Sequence, residues 1–368
     1  LKDIVKFLTT VLYYVEKKNY PLAVAFKRAY LHNKPRKIES NLLYEYSKRM
    51  LLSYYALPQS KRSFKVRYWL ENKESIEIKF PNWMEEKLST LLDINALKRK
   101  LSERWMWARV NILKTDIDKI YRELESQNIE FEVDKNFYYM IKIKKSPVRL
   151  SSLSIVKDCK LVIHDKASSL VVEALKPEIG EKLVDLSSAP GIKASLYMML
   201  TENRAETFLA DVDFKRLSRE YNLLKRCGVD LRKIHIIYQD STKNSVIKSD
   251  KILLDAPCSS SGMINNDPSI LLKLSDNGKI KKFAKLQKSL LNESLKIRAN
   301  KLVYAVCSLF PEEGERVIED YYDIAEMPFS NYQSGYSLYK VGKRSNRTFP
   351  HIDSTEGFFI SVLNLTKL

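Results

Sequence analysis

At 368 residues the chain is too long for one compact core, so two or three domains are expected. Its 63 basic against 45 acidic residues give a net charge of +18, which favours a polyanionic partner, nucleic acid before an anionic membrane surface, over a merely solvated basic face. No run of about 18 apolar residues is present, so nothing is expected to span a bilayer. The four cysteines (Cys159, Cys227, Cys258 and Cys307) form no CxxC pair, so neither a metal site nor a disulfide framework is expected, and a reducing, cytoplasmic setting fits them. The start, Leu1-Lys2-Asp3, has no signal-peptide pattern and no initiator Met, so native residues are expected to precede it.

From Asp3 to about Ala56 the pattern is helical: Ile4, Val5, Leu8, Val11, Leu12 and Val15 recur at helical spacing, with Asp3 as a cap. Helices are expected at Ala23–Tyr30, Glu39–Leu57, Trp83–Leu92 and Ala96–Arg104, with breaks near Pro21, Asn33 and Pro35. Lys61, Arg62, Lys65, Arg67, Lys98, Arg99, Lys100 and Arg104 are interleaved with Phe64, Tyr68, Trp69 and Trp105. Cations beside aromatic rings suit phosphates and stacked bases. A helical bundle with a solvated basic face accounts for the same residues equally well.

Texture changes at Arg109. Arg109–Leu113 alternates like a strand, Asp116–Gln127 is helical, Phe131–Ile143 alternates again, and Ser146–Ser154 reads as an exit linker. A helix is expected over His164–Leu175. Beyond it, strands at Lys182–Leu186, Thr207–Ala210, Lys233–Tyr238, Lys251–Leu254 and Lys301–Val306 alternate with helices from Ala194, over Phe214–Cys227, near Lys282–Arg298 and over Pro311–Ala325. A closing strand is expected at Phe358–Leu363. Alternation of this kind predicts an α/β fold with a doubly wound, mostly parallel sheet, whose ligands bind at the carboxyl ends of the strands.

Those strand ends carry the polar residues. Ser187, Ser188, Ala189, Pro190, Gly191, Ile192 and Lys193 form a loop that opens a helix and lets backbone N–H groups approach a ligand. The loop lacks three glycines and a Gly-Lys-Ser/Thr ending, which excludes a P-loop. Asp211 ends the second strand, 20 residues past Gly191, where a carboxylate can take ribose hydroxyls, and Asp240 ends the third, suited to an adenine amino group. Together with Asp255 they describe an adenosine site with no pyrophosphate to neutralise, which suggests S-adenosyl-L-methionine. The fourth and fifth strands end in Asp255-Ala-Pro-Cys258 and in Cys307; as neighbours in such a sheet they should put both sulfurs in one cleft. One buried Cys is usually inert, but two at adjacent strand ends are harder to dismiss.

Asp255-Ala-Pro-Cys258 with Ala305-Val-Cys-Ser-Leu-Phe-Pro-Glu-Glu313 resembles the RsmB/Nop (Sun) family of RNA cytosine-C5 methyltransferases. Ser187–Lys193 resembles that family's cofactor loop. Asp211-Val-Asp213 with Arg216-Leu and Asn222-Leu-Leu-Lys-Arg resembles its second block. Arg109-Val-Asn-Ile-Leu113, Asp165-Lys-Ala-Ser168, Pro350-His351 and Gly357-Phe-Phe-Ile360 extend the likeness. Departures are Ser187 for Cys, Ile192 for Gly, Val306 for Thr, and Ala299-Asn300 in place of Pro-Gly-Gly.

The resemblance implies three domains: an all-α NusB-like RNA-binding domain over 1–104, a small α+β (RRM-like) subdomain over 105–154, and a Rossmann-like class I methyltransferase domain over 155–368. It also implies Cys307 as nucleophile, with Cys258 assisting product release. Cytosine C5 is a poor nucleophile, and a thiolate adding to C6 would make it enamine-like. Asp255 would hydrogen-bond the ring, and Lys193 would hold the substrate or keep the local field positive. The expected partner is RNA, ribosomal slightly ahead of transfer, and the expected state a monomer. An amino-group methylase would instead carry an aromatic residue where Cys258 stands, and a cysteine hydrolase would need a histidine paired with Cys307, which His164, His235 and His351 do not suggest. The alternative from another class is a non-catalytic RNA-binding or ribosome-assembly factor that keeps the methyltransferase fold.

Overall fold

A computed structural model describes residues 2–35, 38–103 and 105–367, so Arg104, one of the basic residues singled out above, lies outside the described residues. The chain forms two compact units. One consists of the N-terminal helices together with Ser259–Lys281; the other holds Trp105–Cys258 and the residues from Lys282 onward.

The helical unit contains α1 (Lys2–Lys18), α2 (Leu22–His32), α3 (Ser40–Leu52), α4 (Arg62–Asn72), α5 (Asn82–Ser89) and α6 (Ile94–Leu101). The apolar stripe of α1 is the expected one, extended by Phe7: Val5, Phe7, Leu8, Val11, Leu12 and Val15 are buried, and α2, α3 and α4 cover them with Leu22, Phe26, Leu43, Met50, Leu51, Val66 and Trp69. Burying each such side chain stabilises by about 1.5–3 kcal/mol. Ser259–Lys281 adds to this unit through specific bonds. Lys48 Nζ donates to Asn265 Oδ1 at 2.7 Å, the Leu22 amide donates to Asp267 Oδ1 at 2.9 Å, and Trp83 Nε1 donates to the Leu274 carbonyl at 2.9 Å.

The second unit begins with a small antiparallel sheet of β1 (Met106–Val110), β2 (Glu130–Val133), β3 (Met140–Lys145) and β4 (Leu161–Ile163), in the order β2-β3-β1-β4. Helix α7 (Ile117–Ser126) packs on it through Ile120 and Leu124, and a short α8 (Ser154–Lys157) precedes β4. The sheet therefore runs on to Ile163. Three residues are too few for alternation to reveal β4, and the helix expected from His164 starts later, as α9 (Lys166–Ala174), where Asp165 caps it by accepting the Ala167 amide at 2.9 Å.

The remaining elements are β5 (Lys182–Asp185), α10 (Ile192–Leu200), β6 (Glu206–Asp211), α11 (Phe214–Arg226), β7 (Ile234–Tyr238), β8 (Lys251–Asp255), α12 (Ser269–Lys273), α13 (Gly278–Ser294) and β9 (Lys301–Val306). They are followed by α14 (Glu315–Ile318), β10 (Ala325–Glu326), β11 (Gln333–Ser334), β12 (Asn346–Arg347), α15 (Pro350–Asp353) and β13 (Phe359–Asn364). The large sheet runs β11-β12-β13-β9-β8-β5-β6-β7. β5 to β9 are mutually parallel, and β13 closes antiparallel on β9 with Ile360 opposite Ala305. Strand order reverses between β5 and β8, which makes the switch point where α/β sheets bind ligands. The helix expected over Pro311–Ala325 is reduced to α14 and a 3-10 stretch, with Tyr321 off helical geometry inside it.

One expectation is corrected. Cys159 and Cys227 are disulfide-bonded, with Cα atoms 5.0 Å apart across a sequence separation of 68. Spacing along the chain gave no hint, because the pairing is made by the turn before β4 packing on the end of α11. Asn111 Nδ2 fastens the same junction, donating to the Cys159 and Cys227 carbonyls at 2.8 Å each. With that bond present, cysteine usage no longer argues for a reducing compartment. Among the described residues, no helix is long and apolar enough to cross a membrane, and no cluster of His, Cys, Asp and Glu could hold a metal ion.

Candidate active site

Lys251, Ile252, Leu253 and Leu254 are buried on both faces of β8, so the strand is held rigidly until it releases Asp255 at its carboxyl end. Pro257 turns the chain and Cys258 follows. On β9, in register with Asp255 opposite Ala305, the buried run ends at Val306 and Cys307 comes next. The two parallel strands thus deliver both cysteines to one place: their sulfurs lie 3.1 Å apart, and each residue is half-buried.

Lys193, at the start of α10, reaches the same place from β5. Its Nζ is 2.6 Å from Asp255 Oδ2, and both side chains are largely covered. Burial works against the Lys193 charge, but Asp255, with Cys307 and Asp185 behind it, outweighs burial and raises the ammonium above its ordinary pKa. Lys193 is therefore a fixed cation beside the cysteines.

The Cys258 and Cys307 loops are braced from behind. Gln287 of α13 is fully buried; its Nε2 donates to the Pro257 carbonyl at 2.9 Å and to Glu313 Oε1 at 3.3 Å. Glu313 also accepts from Ser308 Oγ, and Tyr304 donates to its carbonyl at 2.6 Å. Arg347 and Glu315 form a wholly buried ion pair at 2.6 Å, and Arg347 Nη1 donates to the Ser308 carbonyl at 2.8 Å. Sequence reading recognised Glu313 as part of a motif without a role; Gln287 and Arg347 carried no signal.

The loop after β5 is held by its neighbours. Gly191 has φ +93°, and a Cβ there would come 2.8 Å from Glu220 Cγ, so only glycine fits. Ser188 Oγ donates to Glu220 Oε2 at 2.8 Å, and the Ser187 amide donates to Asp185 Oδ1 at 3.1 Å. Ala189 and Pro190 are joined by a cis peptide, and Arg216 of α11 donates to the Ala189 carbonyl. Arg216 also reaches Asp211 Oδ2 at 3.3 Å, which ties the end of β6 to the loop. Ile192 packs against the cluster formed by Cys159, Cys227 and Val162.

Asp240 is exposed, and its carboxylate caps its own turn, accepting from the Thr242 amide at 2.9 Å and Oγ1 at 2.8 Å. These bonds hold it below the usual carboxylate range. Its neighbour Ser241 donates to the Leu186 carbonyl at 2.8 Å, beside the loop.

Two buried carboxyls here were missed. Desolvation raises Asp185 well above its ordinary pKa, and burial pushes Glu220 up to about 7, with Asp211 adding and Arg216 opposing. Asp185 could have been found, since it ends its strand as Asp211 ends the next. Glu220 lies mid-helix among polar residues and gives no pattern.

A doubly wound parallel sheet with a tight glycine turn after its first strand, an acid ending its second, and paired cysteines past its fourth and fifth is an α/β fold with two thiols at the carboxyl edge of its sheet. Residues 172–364 match the model of the family described as 16S rRNA methyltransferase RsmB/F, and the chain belongs to that family. It is 28% identical over 263 residues to ribosomal RNA small subunit methyltransferase B of Klebsiella pneumoniae, covering 70% of this chain and 59% of that protein. It is 27% identical to the 26S rRNA (cytosine-C(5))-methyltransferase nsun-5 of Caenorhabditis elegans, covering 71% and 67%. Among solved structures, that of PH0851 superposes with a TM-score of 0.81 at 22% identity, covering 98% of each chain. NSun6 from Pyrococcus horikoshii with SFG gives 0.69 at 21% identity, covering 78% of this chain and 99% of that one.

Proposed function

We propose that this chain is an S-adenosyl-L-methionine-dependent RNA (cytosine-C5) methyltransferase. The observation that carries the reading is the pair of sulfurs 3.1 Å apart beside the 2.6 Å Lys193–Asp255 ion pair. Family membership and the relative named as a cytosine-C(5) methyltransferase support the reaction class. For the cofactor, the support is the glycine turn that admits no Cβ, with Asp211 fastened to it through Arg216. When bound there, the cofactor supplies an electrophilic methyl group.

Cys307, as the thiolate, adds to C6 of a cytosine that has left its stack, and the ring's C5–C6 electron pair moves to C5. C5 then takes the methyl group. Asp255 accepts from the exocyclic N4 amine and orients the ring, while the Lys193 ammonium beside it offsets the negative charge that the thiolate brings. Cys258, as the thiolate, takes the C5 proton, the C5–H electron pair re-forms the C5–C6 double bond, and Cys307 leaves as the thiolate. Cys258, one sulfur diameter away, assists that elimination. Within this reading, the helices of 2–103 correspond to a NusB-like RNA-binding domain and the small sheet to an RRM-like subdomain. Ribosomal RNA is the favoured substrate because the family and its relatives are named for it.

The test is transfer of labelled methyl from the cofactor to ribosomal and transfer RNA, with the product digested to nucleosides. The reading expects label in 5-methylcytidine, more from ribosomal RNA, and its loss in Cys307→Ala with cofactor affinity retained. Unaltered turnover in Cys307→Ala contradicts the nucleophile assignment. No label in any RNA would leave a methyltransferase fold acting as a scaffold.

A further inference from the structure

Helix α13 has one face committed and the other unclaimed. Ile280, Gln287, Leu290, Leu291 and Ser294 are buried, and Gln287 touches the backbone next to Cys258. At 3.6 residues per turn, Lys282 and Lys285 fall on the opposite face and Lys288 on its flank, and all three are exposed. The helix carries lysines also at 279 and 281, and its only carboxylate is Glu293, which is paired with Lys296. Like charges three and four residues apart destabilise a helix. Among the described residues, no carboxylate offsets Lys282, Lys285 or Lys288, which sets this stretch apart from α4 and α6, where basic residues are met by Glu16, Glu85 and Glu103.

The position of the stripe gives it a use. In a right-handed crossover from β8 to β9 the connecting helix starts at the carboxyl edge of the sheet and runs back toward the amino edge. The stretch of α13 from Lys282 to Lys288 therefore lies toward the end of the sheet where Asp255 and Cys258 emerge. Gln287, which donates to the Pro257 carbonyl at 2.9 Å, lies two residues after Lys285 and one before Lys288, so these lysines share the helical turns that border the Cys258 loop.

We propose that the outer face of α13, through Lys282, Lys285 and Lys288, is a phosphate track for the RNA strand flanking the target cytosine. The assignment rests on the RNA methyltransferase reading above and adds where the strand runs. A polynucleotide fits better than a single anion, because the charges form a row along the helix rather than a closed pocket, and the row needs no base edge to read. Its contribution is affinity and register without sequence preference.

The experiment compares the full chain with the triple variant Lys282→Gln/Lys285→Gln/Lys288→Gln and with the corresponding triple Arg variant. The probe is a labelled RNA hairpin with an unpaired cytosine that the wild-type protein methylates, titrated between 50 and 200 mM salt. Three phosphate contacts contribute about 2 to the slope of log K against log salt on single strands. The Gln variant is expected to bind RNA at least about tenfold more weakly at the low-salt end, with that much less slope. Its cofactor affinity should match wild type and its melting temperature should be no lower, and the Arg variant should restore binding and slope. A Gln variant that binds with wild-type affinity and slope overturns the track while leaving the enzyme reading intact. A wild-type chain that methylates no RNA overturns both.

Discussion

Lys193 is the residue on which the chemistry and the electrostatics meet. It is buried beside Asp255, and that carboxylate, with Cys307 and Asp185, outweighs the desolvation that opposes its charge. Lys193→Met therefore leaves Asp255 half-buried without its cation and removes the positive field beside Cys307. Turnover is expected to fall by about 10²-fold, the scale seen when one preorganised charge-stabilising group is lost, as single-turnover methylation would show. Glu220 yields a prediction of another kind. Its folded pKa of about 7 lies above that of an exposed glutamate, so the folded state holds its proton more tightly. Its contribution to stability is complete below about pH 4.5 and is lost as pH rises toward 7, about 3 kcal/mol in all. Glu220→Gln should remove that slope, so its melting temperature relative to wild type climbs between pH 5 and 7.5 and then levels; a constant offset across the range would contradict the buried-acid account. The strand-end residues Asp211, Asp255, Cys258 and Cys307 were legible because a buried apolar run stopping at a polar residue is a signal in itself. Glu220 and Gln287 were not, since a polar residue inside a helix looks solvated until the packing is seen.

At the scale of elements, α11 is held at both ends. Asp213 caps its start, accepting the Lys215 and Arg216 amides, and the Cys159–Cys227 bond pins its end to the turn before β4. Between them, Arg216 and Glu220 reach the loop after β5. Cys227→Ser should cost about 2–5 kcal/mol, read as a lower melting temperature under non-reducing conditions. Because Ile192 and Leu223 pack on the bonded cysteines, cofactor affinity should weaken as well. A variant that melts with wild type would show that the bond adds nothing. The five parallel strands and the closing antiparallel one were readable from alternation of apolar runs with amphipathic helices. What was not readable was short or long-range: β4 has three residues, and the disulfide joins segments that only the tertiary fold brings together.

At the scale of the whole chain, the helical unit is not simply the N-terminal part of the sequence. Ser259–Lys281 leaves β8 and completes that unit, burying Ile270 and Leu271 and giving Asp267 to the start of α2. No composition shift marks the segment, so the sequence reading kept it with the strands around it. A fragment lacking residues 1–103 should therefore expose that apolar segment and aggregate, as size-exclusion chromatography would show; a monodisperse fragment with full thermal stability would contradict the assignment. The central claim is that Cys307 bonds to the pyrimidine while Cys258 releases it, and the most direct measurement is of the bond itself. Cys258→Ala incubated with cofactor and a methylated-site RNA should give a slower band that survives denaturing electrophoresis, with the cross-linked peptide containing Cys307. Absence of that band, or its persistence when Cys307 is also replaced by alanine, would contradict the account.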